Sequence, residues 1–212
     1  VAPGFIDAHT HDDLAVLAEP DMTPKISQGV TTVITGNCGL SLVPWVTQHP
    51  ISPLDLLHTT EFKYPSLKSY ASAIEAAKPS VNVAALIGHT TLRASTMKDL
   101  NQPASDAEIA SMAMHLTQAM QDGALGLSSG LFYQPAAAAE AEEMKALTRV
   151  VGQHGGVYVT HMRSEMDSII DAMHEAADAA DHSSPGSAEP GFAPVQTSGT
   201  ATASGDDQAI FQ

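Results

Sequence analysis

Gly4-Phe5-Ile6-Asp7-Ala8-His9 reads as a buried β-strand, and it runs straight into Thr10-His11. Four later stretches have the same character. Thr31-Thr32-Val33-Ile34-Thr35 is short and β-branched, and Val81 to Gly88, Ala124 to Ser129 and Gly156 to Thr160 follow it. Helices fit between them. Leu67 to Ala77 is one. Ser105-Asp106-Ala107-Glu108 has the form of a capping box and opens a helix to about Asp122, where Gly123 stops it. Glu140 to His154 ends at Gly155-Gly156, and Glu165 to Ala180 carries Ile169, Ile170, Met173 and Ala177 at helical spacing. A long loop with Pro44, Pro50, Pro53 and Pro65 follows the second strand, and such loops carry function or cover a site.

Strands alternating with helices predict an α/β protein with a parallel sheet, either doubly wound or a (β/α)8 barrel. Neither GxGxxG nor GxxxxGK[ST] occurs, which weakens a nucleotide-binding reading. Five βα units between Val1 and Asp181 take roughly 36 residues each, so eight would need roughly 290, against the roughly 250 typical of the barrel. The expectation is therefore a partial barrel over 1–181. From His182 to Gln212 the chain is Ser, Gly, Pro, Thr and Ala with no Lys or Arg, which predicts a disordered low-complexity tail.

The chain has 212 residues, 43% of them hydrophobic, so it can bury a core. With 9 Lys+Arg against 24 Asp+Glu its formal charge is −15, which argues against nucleic acid and anionic membranes as partners. One cysteine excludes an intrachain disulfide framework. No apolar run approaches the roughly 20 residues of a membrane span. A start at Val1 without an initiator Met or a signal-peptide pattern suggests the interior of a longer product.

Three features carry chemistry. His9 and His11 share a face at the end of the first strand and can converge on one cation; they can equally be two surface histidines. Imidazole suits Zn²⁺ and its neighbours, and the C-terminal ends of strands are where barrels place chemistry. Cys38, in Gly36-Asn37-Cys38-Gly39, has glycines on both sides that permit unusual backbone angles and can aim its thiol; it can also be a buried, inert thiol. His161 closes Val157-Tyr158-Val159-Thr160-His161, with Val157 and Val159 expected as barrel layers beneath it; it can also be a satisfied histidine at a strand end.

Pro3-Gly4-Phe5-Ile6-Asp7-Ala8-His9-Thr10-His11 resembles the opening motif of the amidohydrolase superfamily. Asp21 to Lys25, Ile26 to Val33, Gly36-Asn37-Cys38-Gly39, Gly88 to Arg93, Gly123 to Ser128 and His154 to Arg163 are similar, in that order, to the N-acyl-D-amino-acid deacylases. The resemblance covers about Val1 to Asp181. It implies an amidohydrolase-type (β/α)8 barrel, of which about five units are here. It also implies a Zn²⁺-dependent hydrolase that splits small-molecule N-acyl-D-amino acids into a D-amino acid and a carboxylic acid, in a cytoplasmic setting.

Carried over by position, His9 and His11 match the pair that binds the weaker metal, and Cys38 matches the cysteine ligand of the tight zinc. His161 matches the strand-five histidine ligand. Tyr133, in Leu131-Phe132-Tyr133-Gln134-Pro135, matches a tyrosine near the substrate's carboxylate. The family's further histidine after strand six and its general-base aspartate after strand eight have no counterpart. No catalytic residue is assigned here, and His174, His182, Asp12 and Asp13 are not substitutes. A fragment inactive on its own is expected. The alternatives are a non-catalytic remnant or a half-barrel module that pairs with a chain supplying the missing strands. Open barrel edges predict oligomerisation or aggregation.

Overall fold

In the computed structural model, which describes residues 2–59 and 61–181, five strands pair in parallel in the order in which the chain makes them. The elements are β1 (Phe5–Asp7), α1 (Ala15–Ala18), α2 (Thr23–Ile26), β2 (Val30–Thr35), β3 (Trp45–Thr47), β4 (Phe62–Tyr64), α3 (Leu67–Ala77), β5 (Asn82–Gly88), α4 (His89–Thr96), α5 (Asp106–Gln121), β6 (Gly126–Gly130), α6 (Ala141–Gln153), β7 (Val157–His161) and α7 (Ile169–Asp181). The main sheet runs β1-β2-β5-β6-β7. A doubly wound sheet reverses its strand order at a switch point, whereas barrel strands follow one another without reversal. The sheet is that of a partial (β/α)8 barrel. The expected tail from His182 onward lies outside the described residues.

The core lies between one face of the sheet and the helices. Val33, Ile87 and Leu127 from β2, β5 and β6 pack in one cluster with Tyr70, Met112, Leu116, Leu147 and Val151 from the helices, all nearly or fully buried. Helix ends follow local chemistry. Glu108 accepts the Ser105 N–H at 2.9 Å to open α5, and Gly123 at φ +100° follows its end.

Three expectations need correction. The first strand is not buried: Phe5 and Ile6 are 68% and 64% exposed, because β1 is an edge of the sheet with a neighbour on one side only. β6, flanked on both sides, is buried throughout. At the other edge Val157 is 42% exposed, so no closed layer lies beneath His161 among the described residues. The last helix begins at Ile169 and not at Glu165, and the Ser164 hydroxyl instead accepts the Met166 N–H at 3.3 Å in a local turn. The proline-bearing loop contains a two-stranded antiparallel ribbon, β3 with β4, which stacks Trp45 on Phe62 with ring centroids 5.1 Å apart.

Deep between α4 and α6 lies a charged cluster. Glu143 accepts from Arg93 Nη1 at 2.8 and 2.6 Å on its two oxygens, and its Oε1 lies 2.7 Å from His89 Nε2. Arg93 Nη2 also donates to the carbonyls of Leu100 and Gln102. All three side chains are at most 1% exposed. Burial alone would raise the Glu143 pKa, but the hydrogen bonds and charges of His89 and Arg93 outweigh it and hold the carboxyl below its ordinary value.

Removing Glu143 strands a buried guanidinium, so Glu143→Ala should cost about 3–5 kcal/mol in chemical denaturation. Because the folded pKa is depressed, the carboxylate's contribution is complete above about pH 5 and is lost as pH falls through the folded pKa. The stability gap between the wild type and Glu143→Gln should shrink on acidification over that range. A gap independent of pH there would show that Glu143 is not held as a charged partner.

Candidate metal centre

Chain direction reverses at Gly36-Asn37-Cys38-Gly39, just beyond β2, and this turn crosses the ends of β5 and β6 backbone to backbone. A Cβ at Gly88 would overlap the Gly39 carbonyl, and one at Gly130 would overlap that of Cys38. The Ser128 hydroxyl donates to Gly36 O and accepts the Gly39 N–H at 2.9 Å. Cys38 itself is left-handed at φ +53°, between Gly36 at +82° and Gly39 at +78°.

Asn37 stitches this turn to the end of β1. Its amide donates to Ile34 O at 2.8 Å and to Thr10 O at 3.3 Å. Asp13, fully buried, accepts the Gly36 N–H at 3.2 Å, and burial foremost pushes its carboxyl up to about 7. Thr10 is buried while His9 and His11 on either side are exposed, so the two imidazoles project together, their ring centroids 5.9 Å apart.

The result is one compact donor set. Nitrogen of His9, nitrogen of His11 and sulfur of Cys38 all lie within 4.8 Å of one another, with Cys38 Sγ 3.2 Å from His9 Nε2. Zn–N and Zn–S bonds of about 2.1 and 2.3 Å put donors of a tetrahedral ion about 3.6 Å apart, so two imidazoles and a thiol at this spacing suit zinc. Burial, and then the neighbouring His9, lower the His11 pKa against the pull of Asp12, which favours the neutral imidazole a metal needs. Burial pushes the Cys38 thiol up, so a cation beside it is what would hold the thiolate.

His161 stands outside this set. It closes β7, paired with Gly130, and its Nε2 lies 3.2 Å from Glu165 Oε1. The Tyr133 hydroxyl lies 3.4 Å from His161 Nδ1, with the two rings 4.8 Å apart. The Tyr133 pKa is raised by desolvation and then by the charges of Cys38 and Glu165. Sequence reasoning missed Lys25, whose ammonium binds Asp7 and Asp12 across a gap in the chain that no local pattern marks.

A family model described as "Amidohydrolase family" matches residues 1–201. The chain belongs to that family. It is 51% identical over 176 residues to a D-aminoacylase of Alcaligenes xylosoxydans xylosoxydans, covering 82% of this chain and 36% of that protein. It is 48% identical over 178 residues to an N-acyl-D-aspartate deacylase of the same organism, covering 83% and 36%. Among solved structures, a D-aminoacylase studied for its binuclear metal centre superposes with a TM-score of 0.83 at 48% identity, over 85% of this chain and 38% of that one. An N-acyl-D-glutamate deacylase from Bordetella bronchiseptica, complexed with zinc and a phosphonate inhibitor, gives 0.80 at 40% identity, over 84% and 38%. The chain thus spans little more than a third of the length of these two curated relatives.

Cobalt(II) is expected to bind the chain with a thiolate-to-metal charge-transfer band, lost in Cys38→Ser and weakened in His9→Ala and His11→Ala. A band that survives Cys38→Ser would remove the sulfur from the donor set.

Proposed function

We propose that this chain carries the first five βα units of a zinc-dependent N-acyl-D-amino-acid deacylase, with His9, His11, Cys38 and His161 as metal ligands. The observation that carries the reading is the His9, His11 and Cys38 donor set at the C-terminal ends of the first two barrel strands. Metal in the solved relatives supports it, binuclear in the D-aminoacylase and zinc in the N-acyl-D-glutamate deacylase. A D-aminoacylase and an N-acyl-D-aspartate deacylase are almost equally similar, at 51% and 48% identity, so the proposal stops at N-acyl-D-amino acids as a class.

Zinc held there would supply a Lewis acid for the amide carbonyl and a lowered pKa for water. The residues of this chain bind and orient. The Tyr133 hydroxyl, an O–H donor, can donate to the anionic carboxylate of the substrate, and the residue is 37% exposed and open to one. His161, within reach of that hydroxyl, keeps ligand and substrate contact side by side. The family's general base follows barrel strand eight, and the described residues contain five barrel strands. A positioned proton carrier is worth about 10²–10⁴-fold in rate. No described helix is long and apolar enough to cross a membrane. A cytoplasmic setting is proposed from the family's usual one.

A half-barrel that pairs with a second polypeptide is the other reading, and the sheet edges favour it. Phe5 and Ile6 on β1 and Val157 on β7 are exposed apolar residues on strands that have, among the described residues, a neighbour on one side only, and Ile170 and Met173 on α7 are exposed as well.

The 212-residue chain with added Zn²⁺ should release no D-amino acid from N-acetyl-D-amino acids. A chain extended through barrel strand eight should, and Cys38→Ala should abolish that turnover. Robust hydrolysis by the 212-residue chain, free of host deacylase, would overturn the assignment of the base to a later strand. Turnover restored by adding the later strands as a separate polypeptide would favour the paired half-barrel.

A further inference from the structure

Between Asp7 and α1 the segment that carries the two histidines has no regular secondary structure, yet Thr10 and Asp13 in it are buried. One group faces this segment. Lys25 Nζ lies 2.6 Å from Asp7 Oδ2, 3.1 Å from Thr10 Oγ1 and 2.9 Å from Asp12 Oδ2. Two of the ammonium's donors go to Asp7 Oδ2 and Thr10 Oγ1, and Asp12 Oδ2 faces it as an ion pair. Residues 7, 10 and 12 bracket His9 and His11 on both sides, and Asp7 also accepts the His9 N–H through its other oxygen at 3.3 Å.

The lysine is itself fixed. α2, on which it sits, follows Met22, which is left-handed at φ +46° and 4% exposed, with Pro24 at the helix start. The Lys25 and Ile26 N–H groups both donate to Met22 O at 3.0 Å. A buried anchor therefore sets the base of the side chain, and three oxygens set its tip.

We infer that Lys25 is a positioning residue for the metal centre: its ammonium ties Asp7, Thr10 and Asp12 together so that the interleaved His9 and His11 project toward Cys38. This rests on the reading of His9, His11 and Cys38 as metal ligands. Lys25 touches neither imidazole. It acts by restricting the segment, and partners of this outer kind are worth about 10–100-fold in metal affinity. Arginine keeps the charge, but its planar fork cannot address three oxygens gathered around one point.

The test compares the 212-residue chain with Lys25→Met and Lys25→Arg by two measurements. Hydrogen exchange without metal should speed up in Lys25→Met over residues 8–13, and not in β5 or β6, with Lys25→Arg intermediate. Zinc affinity, by competition with a chelator, should weaken by about 10-fold or more in Lys25→Met and less in Lys25→Arg. Unchanged exchange over 8–13, faster exchange spread evenly over the molecule, or unchanged zinc affinity would each overturn the inference. If the wild type binds no zinc, the metal-centre reading fails, and the exchange comparison still decides whether Lys25 restrains the segment.

Discussion

Backbone contact between the Gly36–Gly39 turn and the ends of β5 and β6 is the constraint from which the rest of the site is built. Such contact demands that Gly88 and Gly130 have no side chain, and it forces Cys38 into a left-handed conformation that costs a non-glycine residue about 1–3 kcal/mol. Hydrogen bonds offset that cost: Ser128 receives and donates across the turn, and Thr91 bonds Ser41 in both directions through its hydroxyl. Thr91 belongs to α4, and α4 is locked to α6 by Glu143 with His89 and Arg93. A buried ion cluster in the helical layer thus bears, through one helix, on where a sulfur atom points.

Sulfur and nitrogen are anchored by different physics. The thiol is placed chiefly by van der Waals exclusion and backbone geometry. The imidazoles follow a segment tied by buried polar bonds, through Asn37 and Asp13, and by the ion pairs of Lys25. Those ion pairs are about one-fifth to one-quarter exposed, so their strength is moderate and partly screened. The sulfur side of the site is accordingly the stiffer one.

What could be read from the sequence was whatever local pattern encodes. His9-x-His11, Cys38 between glycines, α3 from Leu67 to Ala77 and the Glu108 capping box all depend on residues within a few positions of each other, and the structure contains each. The ribbon of Trp45–Thr47 with Phe62–Tyr64 was hidden because two three-residue strands separated by a proline-bearing stretch leave no period to detect. Burial of β1 was misjudged because an apolar run says nothing about how many neighbours the strand will have. Lys25 and the Arg93–Glu143 pair escaped because their partners lie 18 and 50 residues away. Charges that look solvated in the sequence become structural when the fold brings their counterions together.

The place of His161 follows from the same geometry. It sits on β7, which pairs with β6 on one side and, among the described residues, with no strand on the other. The ring is held by Glu165, whose side chain is 59% exposed, and by a long contact with Tyr133. A contact that exposed is worth about 0–1 kcal/mol, less than a single bond from imidazole to zinc can supply. Cys38 backs onto Gly130, the residue paired with His161, so the thiol and the imidazole hang from adjoining points of one strand end. His161 thus stands at a neighbouring strand end, turned to Glu165 and Tyr133 and outside the set that His9, His11 and Cys38 form.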